Sequence, residues 1–505
     1  MSNTIPNLSK SRYLSGLQCK KKLYYDLFRS ELRPPVSADQ QRLFDAGHEI
    51  GTLAQTVFPG GKDASPATPG DFKSWLSATQ DFLTAGVSVI YEAAFSAGRV
   101  FAAMDILAHV NGERWAIEVK SSTSVKEYHL DDASLQYYVM KLAGYAPDKV
   151  FIMHIDNTYV LKGDLDPSRL LKLTEIKSDV LSRQEKVVNK LNDLFSTLDS
   201  GTEPSISIGP HCSDPFECTY KYHCWKHVPS QSVFDLLSAR GKEWELYEDG
   251  ILEIAHIPDD YALSEKQRMQ VQSIKSGEAY MDSKAISTFL EGLEYPLYFF
   301  DFETIFPVVP ILDGTRPFEQ VPFQYSVHVV KNEEGEIEHK EFLAPQESFR
   351  QGSEIDPRKL LIEQLKKDIG ANGSIIAYNS RFEMDVIKSL AKAYPADALY
   401  LNELLERFKD LWVVFRSGWY YHPKMQSSTS IKSVLPALIE NLDYSDLVIS
   451  NGGLATAAFQ DLISGNNTED HQSIRQALLS YCYRDTEAML LIWRKLKDIS
   501  ENGIF

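Results

Sequence analysis

The run Tyr298-Phe299-Phe300-Asp301-Phe302-Glu303-Thr304 reads as a buried apolar strand that ends in two acids. Residues two apart on a strand project to the same face, so Asp301 and Glu303 point together and suit the bridging of two cations. Downstream, Ile375-Ile376-Ala377-Tyr378-Asn379-Ser380-Arg381-Phe382-Glu383 reads as a second buried strand passing into a helix that presents another acid. Asp385, two positions further on, is a rival for that place. Tyr481-Cys482-Tyr483-Arg484-Asp485 lies in a helical pattern, where positions i and i+4 share a face, so Tyr481 and Asp485 stand together. Each motif alone is weak, and a lone Asp-x-Glu is more often a strand-end pair; three in order, spread over about 190 residues, argue for one site.

In order and residue type these three pieces resemble the DEDD exonuclease superfamily, the RNase H-like proofreading and RNase D relatives. Its motifs are Asp-x-Glu, Asn-x-x-Phe-Asp and, in the tyrosine subclass, Tyr-x-x-x-Asp. The resemblance implies that Asp301, Glu303, Glu383 and Asp485 ligate two Mg²⁺ or Mn²⁺ ions and that Tyr481 orients the attacking water. It also places Asn379 near the substrate. Glu383 stands where the family usually has Asp; its longer side chain still reaches a metal.

Before this region the pattern is again mixed α/β. Strands are expected at 87–94, 99–110 and 114–121, with turns at Ala97-Gly98 and Asn111-Gly112; a helix near 130–143 and a strand at 149–155 follow. Residues 40–58 and 71–85 read as earlier helices, and 167–198 as helical throughout. The second strand carries Asp105 and the third ends in Glu118-Val119-Lys120. Glu118 and Lys120 share a face, and an acid on the neighbouring strand would join them to hold Mg²⁺ or Mn²⁺ with the amine beside the attacking water. Glu92 lies on the preceding strand, Gly47-His48-Glu49 on an upstream helix and Gln136-Tyr137-Tyr138 on the following one.

This layout resembles the PD-(D/E)XK nucleases, in particular the RecB-like branch with its CRISPR-associated iron-sulfur and AddB-type members. The resemblance implies a metal ligand from the upstream helix, either His48 or Glu49, and substrate contacts from Gln136 with Tyr137 or Tyr138. Met140 stands where that branch has its motif tyrosine.

Five cysteines, an odd number, argue against a disulfide framework. Cys212, Cys218 and Cys224 fall within 13 residues, and with Cys19 from the start of the domain they offer four thiolates for an iron-sulfur cluster or Zn²⁺, with His211, His223 or His227 as further zinc ligands. The RecB-like branch has a staple of this topology, one early Cys and three late ones, which implies a 4Fe-4S cluster. The usual Cys-x-x-Cys pair is absent here. Cys482 stands apart.

The 505 residues are 43% hydrophobic and 24% charged, ordinary globular values that exclude collagen, coiled coil and wholesale disorder. No stretch approaches the ~20 apolar residues of a membrane helix, and Met1–Ser15 lacks a signal-peptide core, so a cytoplasmic protein is expected. The net charge of -18 is uneven: residues 1–230 hold 25 Lys and Arg against 27 Asp and Glu, and 291–505 hold 21 against 32. Acidity therefore weakens a nucleic-acid role without excluding it. The run Lys20-Lys21-Lys22 reads first as a solvated face and second as a nucleic-acid contact, Asp410-Leu411 first as a helix start and second as an acid facing substrate, and Ser430-Ile431-Lys432 and Trp419 to His422 first as packing and second as phosphate or base contacts.

The expected architecture is α/β: a restriction-endonuclease-like domain with a cysteine staple over 1–230, a helical connector over 231–290, and an RNase H-like, DEDDy 3′–5′ exonuclease-like domain over 291–505. The expected function is two-site, metal-dependent hydrolysis of DNA, single-stranded or at ends, in repair or foreign-DNA processing, with a partner protein that delivers substrate. An RNase D-type RNA exonuclease and an inactive nucleic-acid-binding scaffold are the alternatives.

Overall fold

The computed structural model describes residues 8–333, 335–350, 352–465 and 471–502; the first seven residues of the polar Met1–Ser15 start lie outside them. The chain divides after His227 into two compact units. Among the described residues no helix is long and apolar enough to cross a membrane.

The first unit is built on a seven-stranded sheet: β1 (Leu8–Ser9), β2 (Lys62–Asp63), β3 (Val89–Ala97), β4 (Val100–Val110), β5 (Glu113–Lys120), β6 (Lys149–Ile155) and β7 (Leu171–Glu175). Their order is β2-β3-β4-β5-β6-β7, with β1 also on β4. The antiparallel β3-β4-β5 meander matches the sequence pattern. Its second turn works because Asn111 and Gly112 both take positive φ, 53° and 83°, as a two-residue hairpin loop requires. Its longer helices are α1 (Lys10–Gln18), α2 (Lys20–Phe28), α3 (Ala38–Val57), α4 (Phe72–Thr84), α5 (Glu127–Leu142) and α6 (Gln184–Asp199). Residues 167–198, expected to be helical, include β7, which pairs with β6 in register Met153↔Leu173. A short apolar run has no periodicity long enough to tell strand from helix, and the open edge of β6 decided it.

Helix α5 crosses from β5 to the parallel strand β6 and is buried on nearly every side, at Leu130, Ala133, Leu135, Val139 and Met140. Such a helix normally carries no polar residue on its inner turns. The buried Asp132, Ser134 and Gln136 therefore need partners: Ser134 donates to the Leu130 carbonyl one turn back, and Asp132 and Gln136 meet Lys120 and Glu118 at the end of β5.

The second unit contains β8 (Tyr280–Met281), β9 (Leu297–Ile305), β10 (Val321–Val330), β11 (Ile337–Leu343), β12 (Ile375–Ala377), β13 (Phe408–Asp410) and β14 (Tyr420–Tyr421). Five strands make one sheet in the order β11-β10-β9-β12-β13. The first three are antiparallel to one another, and β12 and β13 continue parallel to β9. The longer helices are α7 (Pro357–Asp368), α8 (Arg381–Ala393), α9 (Ile431–Leu438), α10 (Gly452–Ser464) and α11 (His471–Asn502). Alternate residues of β9 feed two cores. Phe300 and Phe302 pack on Leu361, Leu365, Val386 and Leu390 of α7 and α8. Phe299 packs with Phe459 of α10 and with Trp493 and Leu496 of α11. The acids at the end of β9 thus sit between two helical layers. Gly373, at φ 94°, precedes β12 where a Cβ would lie 2.1 Å from the Pro296 carbonyl oxygen, so only glycine lets this turn cross the start of β9.

Residues 231–290, expected as a connector, fold with the second unit. Met269 and Ile286 join the core around Phe299, and Val233, Leu236, Leu246, Ile254 and Val271 form a cluster of their own. The short helices there are amphipathic, and the second unit supplies the surface that covers their apolar sides.

Candidate active sites

In the second unit, β9 presents Asp301 and Glu303 on one face, and α11 brings Asp485 to them. One carboxylate oxygen from each of the three lies within 4.8 Å of the others. Glu383, in the first turn of α8, completes the group: it is 2% exposed and its Oε2 has no hydrogen-bond partner. Its rival Asp385 is exposed and paired with Lys388 (2.9 Å) and Arg381 (3.8 Å). Burial pushes the carboxyls of Asp301, Glu303 and Glu383 well above the usual range, and the neighbouring acids add to it. Burial raises Asp485 to about 6, opposed by a hydrogen bond from Tyr444 and the charge of Lys432. Four neighbouring acids are opposed mainly by Lys432. Such a set carries protons or cations, because unpaired charges are too costly in a low dielectric.

The surroundings of these acids were only partly legible. Tyr444 donates to Asp485 Oδ1 at 2.6 Å. Lys432, at the start of α9, donates to the Ser450 carbonyl (2.6 Å) and lies over the rings of Tyr444 (5.1 Å) and Tyr481 (5.2 Å). Tyr481 is buried, and burial with Asp485 beside it pushes its hydroxyl pKa up. The thiol of Cys482 is 3.7 Å from Asp301 Oδ2. Asp410 ends a strand instead of starting a helix: its Oδ1 accepts from the backbone N–H of Asn379 (2.9 Å), Ser380 (3.4 Å) and Trp412 (3.1 Å). That bond holds Asn379 at φ 68° and so aims the first turn of α8 and Glu383. Lys432 stood in the motif read as packing; no spacing signal marks Tyr444, 41 positions before its partner. The tyrosines of the aromatic run, Tyr420 and Tyr421, are buried on β14, as packing requires.

In the first unit the site lies where the sheet forks. On one edge of β4, β5 pairs with Ile106–Val110 and β1 with Val100–Phe101, leaving a gap between them. Asp105 Oδ2 accepts from the Val119 N–H at 2.6 Å. Glu118, 1% exposed, accepts from Lys10 (2.7 Å) and Lys120 (2.6 Å) on Oε1 and from Gln136 (2.6 Å) on Oε2. Gln136 Nε2 also donates to the Ala103 carbonyl (2.9 Å), and Lys120 to Asp132 Oδ2 (2.7 Å). Burial would raise Glu118, but Lys10 and Lys120 together hold it well below the usual range. Burial lifts Asp105 to about 8 and Glu92 to about 7, each with a contribution from Glu118. Asp132 Oδ1 and Gln136 Oε1 are buried without partners.

Asp105, Glu118, Lys120 and Gln136 thus meet as expected, and Lys10 and Asp132 join them unforeseen. His48 and Glu49 do not take part in these contacts: both are exposed, because the buried line of α3 runs through Ile50 and Ala54. Tyr137 packs in the core with Leu130, Val150 and Ile152, and Tyr138 against the core that includes Met140. The Tyr137 ring is thus buried, and Tyr138 is partly buried.

Cys19, at the junction of α1 and α2, lines one small cavity with Cys212, Cys218, Cys224, Tyr25 and Tyr220. The Cys218 N–H donates to the Cys212 carbonyl at 2.8 Å. Burial raises the thiol pKa of Cys218 and Cys224. Among the described residues the one group of three metal-capable atoms within 4.8 Å of each other is Asp301, Glu303 and Asp485, so no three of these sulfurs come that close. Tetrahedral Zn–S bonds of ~2.3 Å would bring sulfurs to about 3.8 Å apart. His211 Nε2 is 3.8 Å from Cys212 Sγ, and His223 packs edge-on against Tyr25. The lysine run is partnered, Lys20 with Asp193 (2.5 Å), Lys21 with Glu203 (3.2 Å) and Lys22 with Gln18 (2.6 Å), as its bland reading has it.

A family model described as a domain of unknown function, DUF2779, matches residues 298–430. That span holds Asp301, Glu303, Glu383 and Asp410 and stops before Lys432 and Asp485. The uncharacterized protein MG366 homolog of Mycoplasma pneumoniae is 28% identical over 230 residues, 41% of this chain and 33% of that protein. The uncharacterized proteins MG366 of Mycoplasma genitalium and UU173 of Ureaplasma parvum are each 25% identical, over 41% of this chain and 33% and 32% of their own lengths. The matched part of the chain thus spans about a third of the length of these relatives.

Proposed function

We propose that this chain is a metal-dependent nuclease that hydrolyses phosphodiester bonds of nucleic acid, DNA in preference to RNA, at two sites. The observation that carries the reading is the convergence of Asp301, Glu303 and Asp485, with oxygens within 4.8 Å of one another, beside the buried Glu383 whose Oε2 has no partner. Glu383 fits a cation ligand, since a buried carboxylate oxygen without a donor is otherwise expensive. The strand order β11-β10-β9-β12-β13, with three antiparallel strands followed by two parallel ones, supports an RNase H-like fold.

Asp301, Glu303, Glu383 and Asp485 would hold divalent ions, Mg²⁺ or Mn²⁺, which when bound stabilise the attacking and leaving oxygens of an in-line displacement. The protein's own groups do the rest. Tyr444 fixes the orientation of Asp485 through its 2.6 Å hydrogen bond. Tyr481, one turn before Asp485, orients the water nucleophile with its hydroxyl. Lys432, held by the Ser450 carbonyl, offers its positive charge to the phosphate.

The same chemistry is proposed for the first unit, as a RecB-like site, on Asp105, Glu118 and Lys120, where Asp132 Oδ1 and Gln136 Oε1 await a partner. The four cysteines around one cavity are proposed to hold an iron-sulfur cluster, with Zn²⁺ as the alternative. The test is degradation of end-labelled single-stranded DNA, with matched RNA, in Mg²⁺ and in Mn²⁺. Asp105→Ala and Asp301→Ala should each remove a separable part of the activity, and the double variant all of it. Wild type that cleaves neither polymer in either metal refutes the proposal.

A further inference from the structure

We propose that the Lys10 ammonium stands in for a second divalent cation in the first unit's site, which therefore holds a single ion and uses Lys10 to position Glu118. The inference rests on the reading above only in taking this site to bind a divalent cation.

The fold delivers Lys10 to this place. Strand β1 runs parallel to β4 in register Leu8↔Val100 and Ser9↔Phe101, on the edge that β5 leaves uncovered. Ser9 then caps α1 by accepting from the Arg12 N–H. Lys10, between the strand end and the helix, enters the gap of the fork. Its Nζ is 2.7 Å from Glu118 Oε1 and 3.6 Å from Asp132 Oδ2.

Charge counting gives the number of ions. Glu92, Asp105, Glu118 and Asp132 carry four negative charges when ionised, and Lys10 and Lys120 carry two positive ones. The remainder matches one divalent cation. In the second unit four ionised acids beside Lys432 leave three negative charges, one more than a single divalent cation balances.

Hydrogen-bond counting agrees. An ionised carboxylate offers about two lone-pair sites per oxygen. Glu118 Oε1 is filled by two ammonium donors and Oε2 already accepts from Gln136, so Glu118 cannot bridge two ions while Lys10 is present. One oxygen of Asp105 is taken by the Val119 N–H. Gln136 Nε2 lies between two acceptors, Glu118 Oε2 and the Ala103 carbonyl, which turns its buried Oε1 the other way. That atom and Asp132 Oδ1 are the buried acceptors here without a hydrogen-bond partner, fewer oxygens than two octahedral ions require.

The experiment is a Mn²⁺ titration of the full-length chain carrying Asp301→Asn and Asp485→Asn, which silence the second unit's cluster, followed by calorimetry and electron paramagnetic resonance. With Lys10 intact, one Mn²⁺ per chain and the spectrum of an isolated ion are expected. Lys10→Met should admit a second Mn²⁺, magnetically coupled to the first, and Lys10→Arg should restore a count of one. Two coupled ions with Lys10 intact overturn the inference and leave the metal reading standing. So does a folded Lys10→Met chain, cooperative in thermal melting, that still binds one. No ion in the Lys10-intact chain overturns both. The intact-chain count decides the matter even if Lys10→Met does not fold.

Discussion

Asp301→Asn should make the second unit more resistant to unfolding in EDTA at pH 8 and should remove the stabilisation that Mn²⁺ gives the wild type. Oxygens of Asp301, Glu303 and Asp485 lie within 4.8 Å of one another. At that distance and an effective dielectric of ~20, two unit charges repel by about 3.5 kcal/mol. Asp301 belongs to two such pairs, so full ionisation without metal would cost on the order of 7 kcal/mol through this residue alone. Protonation relieves most of that. Asp485 shows the sign: its folded pKa of about 6 lies above the unfolded value of 3.8. The native state therefore binds more protons between those values, and stability falls as pH rises through that window, by about 3 kcal/mol in all. A net gain of about 1–3 kcal/mol for Asp301→Asn at pH 8, shrinking toward pH 4, is what remains. Urea unfolding followed by circular dichroism, at pH 5 and pH 8, with EDTA or Mn²⁺, measures it. Wild type should gain about 2.7 kcal/mol when Mn²⁺ reaches 100 times its dissociation constant, and Asp301→Asn much less. If Asp301→Asn is the less stable protein in EDTA at pH 8, and Mn²⁺ stabilises both chains equally, the repulsion argument and the metal assignment fail together.

Tyr444→Phe deletes the hydrogen bond to Asp485 without removing a ligand. It should weaken Mn²⁺ binding by roughly 10–100-fold; a calorimetric affinity within twofold of wild type would contradict the positioning role. Anaerobically purified wild type should contain iron that Cys218→Ser lacks, and the first unit of that variant should be cut faster by protease; a wild-type chain free of both iron and zinc would eliminate the staple. His328 is held neutral, its pKa lowered to about 4 by burial and by His339. The unfolded chain takes up that proton first, near pH 6.5, so stability should drop as pH falls from about 6.5 to 4, by at most about 3 kcal/mol. His328→Asn should flatten that slope in urea midpoints across the range, and an unchanged slope would show that another group is responsible.

The strands, the Asn111-Gly112 turn and the main helices were legible because each rests on local periodicity or on a residue with special backbone freedom. Three same-face pairs were legible for the same reason: Asp301 with Glu303, and Glu118 with Lys120, are two apart on strands, and Tyr481 with Asp485 is one turn apart on a helix. Where two residue types competed at close spacing, sequence left the choice open. Asp385 and Glu383 differ by two positions on one helix, and only the packing of α8 on the sheet shows that Glu383 faces inward. His48 and Glu49 were candidates by type, and the burial of Ile50 and Ala54 turned both outward.

What the amino-acid sequence determines by itself is the composition of each element: which stretches pair as strands, which helices are apolar enough to be buried, and which acids share an element's face. What only the tertiary structure decides is who meets across elements. Lys10 reaches Glu118 over 108 positions because β1 docks on β4, and Tyr444 reaches Asp485 over 41. The single sheet strand β7 and the folding of residues 228–290 with the second unit belong here too. In each case an apolar face or a strand edge had a partner distant in sequence. Hydrophobic burial and backbone pairing set such contacts through three-dimensional complementarity, which leaves no period in the chain to be read.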